Sequence, residues 1–127
     1  MSSADAHRVF ERYLVAGAMS RDPDAVAALF AEDGVLEWPL HRTRFAGRDE
    51  IRHGLRGYYA RHTAPTASVD PDRSGCVLHR TTERDTFLVE IDTVFAGSDD
   101  ATALVWIFRI DGDEQIVRLR DYFAGEA

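Results

Sequence analysis

The sequence predicts an α+β domain in which helices come first and an antiparallel sheet follows. In the first half, apolar residues recur every three or four positions, which is typical of amphipathic helices. After Pro65 and Pro71 the apolar period changes to two, which is typical of strands joined by hairpins. Helices followed by strands indicate an α+β fold. A chain of 127 residues is expected to form one domain, over residues 1–127.

Three helices are predicted from the apolar spacing and from residues that start or stop helices. The first covers residues 4–19. The second begins after Asp22, a capping residue followed by proline, and is expected to end at Gly34. The third covers residues 48–62, follows a glycine and carries acidic residues in its first turn. All three are expected to bury one apolar face.

Strands are predicted on both sides of the third helix. Before it, residues 35–39 form a short strand that ends at a proline, and residues 41–47 form a loop. After it, four segments with a period of two are separated by short polar turns and predict a hairpin meander. These four strands cover residues 75–82, 86–95, 101–110 and 115–123.

The third of these four strands predicts how the sheet is covered. Residues 103–108, ALVWIF, are apolar on both sides of the strand. An antiparallel sheet with one solvated face should alternate instead. Three helices can cover only one face, so a second copy of the same sheet is expected on the other. The sequence therefore predicts a homodimer through the outer face of the sheet.

Composition and charge exclude several classes of function. The net charge of −7 makes a nucleic-acid partner unexpected, because phosphates would be repelled. A cluster of three arginines between residues 42 and 48 is interpreted as a solvated loop. No apolar run reaches the ~20 residues of a membrane helix, and the first residues lack a signal-peptide pattern, so no membrane association is expected. Cys76 is the single cysteine and is interpreted as a buried small apolar residue. A cytoplasmic location is expected.

The sequence offers no pattern for a metal or a cofactor. Its five histidines lack the spacing of metal-binding motifs, and there is no phosphate loop or dinucleotide fingerprint. We therefore expect neither a metal nor a cofactor. His62, beside Tyr58 on the third helix, is a candidate proton carrier.

Asp121 is the first candidate catalytic residue. In the segment IVRLRDYF, the alternation places Asp121 on the same side as Leu119 and Phe123, facing what the helices enclose. A carboxyl group removed from water has a raised pKa unless it is paired, and can then act as an acid or base near neutral pH. The alternative is an aspartate that accepts backbone or arginine hydrogen bonds at the end of the sheet.

A second acidic pair lies in the segment LVEIDTVF. Glu90 and Asp92 share one side of that strand, while Phe87 and Phe95 share the other. The acidic side either lines a polar pocket, with the phenylalanines at an interface, or faces water. Both interpretations are open at this point.

Aromatic residues are the remaining candidates for the site. Tyr13 lies on the buried side of the first helix, so its hydroxyl either reaches a cavity or is satisfied within the core. Five further aromatic residues either belong to the core or form the wall of an apolar binding pocket. They are Trp38, Tyr58, Tyr59, Trp106 and Phe108.

Three segments together resemble a known family. ALFAEDGVLEWP, FAGRDEIRHGL and the closing IVRLRDYF are similar to the SnoaL-like branch of the nuclear transport factor 2 (NTF2)-like superfamily. The resemblance spans nearly the whole chain. It implies a cone in which a curved antiparallel sheet wraps around three N-terminal helices and encloses a deep pocket. Ketosteroid isomerases, limonene epoxide hydrolase, polyketide cyclases and non-catalytic proteins belong to this superfamily.

The resemblance also implies site residues. RDYF is similar to the strand of limonene epoxide hydrolase that carries a catalytic aspartate, which corresponds to Asp121. An Arg-x-Asp segment of that enzyme corresponds to Glu90–Asp92, where the aspartate matches and the arginine does not. ERYLVAG is similar to the isomerase helix that carries an oxyanion-binding tyrosine, here Tyr13. The isomerase base and second oxyanion donor correspond to Trp38 and Trp106 and are therefore lost.

Together these features predict a cofactor-independent enzyme that acts on a small hydrophobic molecule. Asp121 would move a proton, helped by Asp92, and Tyr13 would hydrogen-bond an oxygen of the substrate. The expected reaction is an isomerisation, cyclisation, dehydration or epoxide hydrolysis. The alternative is a non-catalytic module of the same fold that binds a small molecule or serves as a structural dimer.

Overall fold

The structure, a computed structural model, describes residues 3–127, with side chains from residue 5 onward. It has three α-helices and six strands in one curved, open sheet, which confirms the predicted α+β cone. The helices are α1 Ser3–Tyr13, α2 Pro23–Ala28 and α3 Arg48–Arg61, and a π-helical segment, Leu14–Met19, continues α1. The strands are β1 Phe30–Trp38, β2 Thr43–Ala46, β3 Gly75–Arg80, β4 Thr86–Val94, β5 Ala101–Ile110 and β6 Ile116–Phe123.

The sheet is mixed, whereas the sequence predicted only antiparallel neighbours. The strand order is β2-β1-β6-β5-β4-β3. The meander from β3 to β6 is antiparallel as predicted, but β1 pairs with β6 in parallel. This pairing brings the first strand of the chain beside the last. It therefore places α1 and α2, which precede β1, against the same sheet face as the end of β6.

The second helix is shorter than predicted. It begins as expected, with the Asp22 carboxylate accepting the N–H groups of Asp24 and Ala25. It ends at Ala28 because the next residues already belong to β1, where Phe30 pairs with Ile116. Gly34 was therefore wrongly predicted as a helix stop.

Gly34 instead permits a close approach between strands. A Cβ atom at this position would lie 2.7 Å from the carbonyl oxygen of Ile116 and 3.0 Å from that of Ala31. Both contacts are too short for a side chain, so β1 and β6 can approach only because residue 34 is glycine.

The segment predicted as a loop, residues 41–47, contains a short strand. Thr43–Ala46 forms β2, which pairs with the end of β1 and places Phe45 beside Leu36. The preceding residues, Pro39–His41, form a single 3₁₀ turn. The chain thus reverses tightly after the proline and extends the sheet by one edge strand.

A bulge shifts the alternation at the start of β6. Ile116 is completely buried, whereas Val117 is partly exposed, because the pairing register changes between Arg109 and Ile110 on β5. Beyond the bulge the predicted alternation holds: Leu119 and Asp121 point towards the helices. We call this helix-covered side the inner face and the opposite side the outer face.

The core lies between the inner face and the helices. Phe87 and Phe108 stack at 4.9 Å on neighbouring strands and are both inaccessible to solvent. Cys76 was predicted to be buried, and this was wrong: on the edge strand β3 it is exposed. Within residues 3–127, no helix is both long and apolar enough to cross a membrane.

Candidate active site

A chamber of about 240 Å³ lies between the inner face and the helices. The π-helical segment, α3 and the ends of β5 and β6 form its walls. Its lining is largely aromatic and contains one carboxylate and one guanidinium group. Its lining residues include Tyr13, Gly17, Arg21, Trp38, Tyr58, Tyr59, Trp106, Asp121 and Phe123.

Asp121 points into this chamber from β6. Its Oδ1 atom is shielded from solvent and has no hydrogen-bond partner among the described residues. Burial raises the pKa of Asp121 to about 7. The indole of Trp106, its direct cross-strand neighbour, opposes that rise, but its Nε1 atom also lacks a partner of normal hydrogen-bond geometry. The indole N–H and the Asp121 carboxyl group are thus close enough to interact, but neither Nε1 nor Oδ1 has a partner of normal hydrogen-bond geometry among the described residues.

Within residues 5–127, whose side chains the structure describes, no arginine pairs with Asp121. Arg118 and Arg120, its neighbours on β6, point to the outer face, where their Nε atoms lie 4.0 Å and 3.9 Å from the Glu37 carboxylate. This placement agrees with the predicted alternation. Of the two interpretations of Asp121 made from the sequence, the structure supports the inward-facing, unpaired carboxyl group.

Tyr13 borders the same chamber and is almost completely buried, at 6% exposure. Its ring meets that of Trp106 edge-to-face at 4.9 Å. Burial, followed by the negative charge of Asp121, raises the pKa of Tyr13 well above its ordinary value. Its hydroxyl therefore stays protonated at neutral pH and can donate a hydrogen bond.

Two further tyrosines face the chamber from α3. Burial raises the pKa of Tyr59 to about 12, and it also raises that of Tyr58. The charge of Asp121 contributes to both shifts. All three tyrosines line the chamber into which this carboxyl group points. Trp38 closes the chamber beside Tyr58, with ring centres 5.3 Å apart.

His62 lies behind this wall at the end of α3. Its ring rests on that of Tyr58 with centroids 4.4 Å apart, and its Nε2 atom is buried without a partner among the described residues. It does not border the chamber that contains Asp121. A role for His62 as a proton carrier would therefore have to pass through Tyr58.

Three predicted site residues lie away from Asp121. Glu90 and Asp92 are exposed on the outer side of β4, where Glu90 makes a 2.7 Å contact with His79. Asp92 borders a separate apolar groove but not the chamber. Phe108 is fully buried in the core stack and also does not border the chamber. The sequence did not determine which side of β4 faces the helices. In the structure, the side that carries Glu90 and Asp92 faces away from them.

Several residues of the chamber were not identified from the sequence, and two of them, Arg21 and Gly17, affect its chemistry and shape. Arg21 follows the π-helical segment with a φ of +48°, and its guanidinium group lies 4.8 Å from the centre of the Tyr59 ring. Gly17 leaves space beside the tyrosines, since a Cβ there would lie 3.7 Å from the hydroxyl of Tyr59. Arg21 belongs to no motif, and Gly17 closes the segment ERYLVAG without having been singled out in it. The packing of the π-helical segment and of Arg21 beside Tyr59 brings both residues to the site.

No group of three or more His, Cys, Asp or Glu side chains within the described residues is arranged to hold a metal ion. The polar side chains that line the chamber include the Asp121 carboxyl group, three tyrosines, the indoles of Trp38 and Trp106 and the Arg21 guanidinium group. Such a set can move a proton and hydrogen-bond an oxygen atom of a bound molecule.

The family assignment agrees with this geometry. The sequence model of the SnoaL-like domain matches residues 10–119, which includes most of the helices and the sheet. The chain belongs to the SnoaL-like domain family. No curated protein matches it. The family match ends just before Asp121, so the site has to be judged from its own geometry.

Solved structures of other SnoaL-like and related proteins share the fold. A SnoaL-like protein of unknown function from Burkholderia thailandensis superposes with a TM-score of 0.70 at 13% identity, covering 98% of this chain and 99% of the other. An epoxide hydrolase from M. tuberculosis, similar to limonene epoxide hydrolase, gives 0.59 at 23% identity, covering 95% and 84%. A Sinorhizobium meliloti protein provisionally named a polyketide cyclase gives 0.62 at 22% identity, covering 95% and 99%. At these identities the likeness establishes the fold of this SnoaL-like chain and not its reaction.

Proposed function

We propose that this SnoaL-like protein is a cofactor-independent enzyme that moves a proton on a small hydrophobic molecule, with Asp121 as the base. The observation that carries this proposal is the Asp121 carboxyl group, whose Oδ1 atom is shielded from solvent, which forms no ion pair among the described residues, and whose pKa is raised to about 7. A base with a pKa near the working pH is about half deprotonated and still strong enough to remove a proton.

The surrounding groups fit the charge changes of such a reaction. When Asp121 removes a proton from the carbon next to a carbonyl group, the carbonyl oxygen gains negative charge. The Tyr13 hydroxyl and the unpaired indole N–H of Trp106 are the donors that can stabilise that oxygen. Asp121 then returns the proton to another carbon of the same molecule. A double-bond isomerisation therefore needs no other reactant.

A panel of simple probes tests the proposal. Cyclohex-3-enone, which conjugates by this proton transfer, represents isomerisation, and cyclohexene oxide represents epoxide hydrolysis. We expect turnover of at least one probe and a loss of ~10²–10⁴-fold in kcat/KM for Asp121→Asn. Glu90→Gln is the matched control, since it removes an exposed carboxylate from the outer side of β4, borders neither the chamber nor the separate apolar groove and should leave the rate within about twofold.

The pH profile identifies the role of Asp121. If Asp121 is the base, kcat/KM rises as pH increases through about 7, where its carboxyl group loses its proton. An Asp121→Asn variant with unchanged turnover would remove Asp121 from the mechanism. Absence of turnover with all probes, together with binding of apolar molecules in the chamber, would instead support the non-catalytic binding module.

A further inference from the structure

A second cavity adjoins the chamber and is much larger. It is an open groove of about 830 Å³ between the first helix, the segment after α3 and the inner side of β4. Ala18 and Arg21 border both the groove and the chamber, so the two spaces are neighbours. We call it the outer groove; it lies on the helix-covered side of the sheet and is not part of the outer face. Its apolar wall includes Phe10, Leu14, Met19, Val69, Ile91 and Phe95.

Arg21 stands where the chamber and the outer groove meet. One of its terminal nitrogens donates to the backbone carbonyls of Tyr59, at 3.3 Å, and His62. These bonds and the contact with the Tyr59 ring hold the guanidinium group in place. Its Nε and Nη1 atoms have no partner among the described residues and are not buried. Arg21 thus presents a fixed positive charge with free donors at the junction.

The charge of Arg21 is not used by the proton-transfer site. Among the described residues Arg21 forms no hydrogen bond or ion pair with Asp121, since its side chain donates to the carbonyls of Tyr59 and His62. Burial and the indole of Trp106 account for the shift in the pKa of Asp121. Arg21 is also the only basic residue that borders the outer groove, where the single acidic residue is Asp92. A guanidinium group with free donors beside apolar surface suits a carboxylate or another anionic oxygen.

We propose that the chamber and the outer groove bind one elongated, largely apolar molecule that carries an anionic oxygen, and that Arg21 holds this oxygen. The compact reacting part occupies the chamber beside Asp121. The apolar tail lies along the outer groove. This inference rests on the proposed function for the reacting part, but the anchoring of an anion by Arg21 is independent of catalysis.

Straight-chain molecules with eight carbons and three different head groups test the anchor. Octanoate, octanol and octylamine share one tail, and their binding can be followed by calorimetry and by the fluorescence of Trp38 and Trp106. We expect octanoate to bind roughly tenfold more tightly than octanol, the range of a charge-assisted hydrogen bond, and octylamine to bind most weakly. Arg21→Met should remove the preference for octanoate and leave the affinity for octanol unchanged.

Two variants make the anchor test specific. Arg61→Met removes an exposed positive charge from the end of the neighbouring α3, outside both cavities, and should retain the preference for octanoate. Arg21→Lys keeps the charge and should retain part of the preference, which covers the case in which Arg21→Met fails to fold. An octanoate preference that persists in Arg21→Met, or tighter binding of octylamine, would overturn the proposal.

Chain length tests the outer groove. From hexanoate to decanoate the affinity should rise by up to about fourfold per methylene group if the tail is buried in the groove. Met19→Gln should flatten this dependence, because Met19 borders the groove and is 70% exposed, so the change does not disturb the core. Val15→Gln is the control, since Val15 lies on the same helical segment, is 52% exposed and does not border the groove.

The outcomes separate this inference from the proposed function. Asp121→Asn should abolish proton transfer yet bind octanoate at least as well as the native chain, because it removes a negative charge from the chamber. Proton transfer that depends on Asp121, without any dependence of affinity on chain length or on Arg21, would overturn the inference alone. Octanoate binding through Arg21 without turnover would overturn the proposed function alone.

Discussion

At the scale of single residues, Asp121 is the position where the sequence and the function are most closely linked. One carboxyl group follows Leu119 on the inner face of β6, in a row that is otherwise apolar. Because Asp121 has no arginine partner and its Oδ1 atom is shielded from water, its charged form destabilises the folded state. For the same reason its pKa lies near neutral pH, where the carboxyl group can act as a base. The cost in stability and the chemical role therefore have the same cause.

This link predicts a pH-dependent effect on stability. The pKa of Asp121 is raised from 3.8 to about 7, so between these values the folded chain binds one proton that the unfolded chain has lost. The contribution of Asp121 to the free energy of unfolding therefore decreases as pH rises from 3.8 to about 7, and it does not return at higher pH. Asp121→Asn, which cannot ionise, should stabilise the protein at pH 8 by about 2–4 kcal/mol relative to the native chain.

Urea denaturation of both proteins at pH 5 and pH 8 measures this effect. The advantage of Asp121→Asn should shrink at pH 5, where most Asp121 is protonated in the folded state. Asp92→Asn, on the exposed side of β4, should show no comparable pH dependence. An Asp121→Asn variant that is no more stable than the native chain at pH 8 would show that the carboxyl group is well solvated.

At the scale of secondary structure, α3 shows how two glycines in one helix differ in their surroundings. A Cβ atom at Gly54 would lie 2.3 Å from the ring of Phe45, which belongs to β2 and packs edge-to-face on Trp38. A Cβ atom at Gly57 would meet only the end of the flexible Arg61 side chain, at 3.0 Å. Gly54 thus allows β2 to dock against α3, whereas Gly57 has no such role.

The two glycines therefore predict opposite effects of alanine. Gly54→Ala should destabilise the protein by about 1–3 kcal/mol, because the ring of Phe45 has to move within a packed region. Gly57→Ala should stabilise it by about 0.5–1 kcal/mol, because alanine favours helix and the Arg61 side chain can move away. Thermal unfolding of the two variants gives the comparison, and equal effects would contradict this account of how β2 packs.

At the scale of the whole molecule, the outer face of the sheet remains partly apolar. Val105 and Ile107 on the central strand β5 are half-buried, and Val77 on β3 is 54% exposed. Charged residues surround them, including the His79–Glu90 pair and the arginines of β6. An apolar centre with a charged rim is typical of a surface that binds another protein, and a second copy of the sheet is the simplest partner.

We therefore predict a homodimer formed through the outer face. Light scattering coupled to gel filtration should give twice the chain mass of 14.3 kDa for the native protein. Val105→Arg should give a monomer, because it places a charge at the centre of the apolar surface. Val15→Arg, an exposed change on the helical side, should leave the dimer intact. A native protein that is monomeric at all concentrations would contradict the prediction.

Much of this architecture follows from the sequence alone. The spacing of apolar residues, every 3.6 residues in a helix and every two in a strand, depends only on neighbouring residues. For this reason α1, α3 and the strands of the meander were predicted correctly, and so was the inward direction of Asp121. Asp22 was recognised as the start of α2 because capping is also local.

Only the tertiary structure decided the remaining features of the fold and the site, because these features depend on contacts between segments that are distant in the chain. The pairing of β1 with β6 ended α2 early and turned a predicted helix stop at Gly34 into a point of close contact between strands. The side of β4 that carries Glu90 and Asp92 depended on which face the helices cover. The chamber, and the position of Arg21 at its opening, are spaces left by packing. No local pattern encodes such a space, since its walls come from α1, the π-helical segment, α3 and the far end of the sheet.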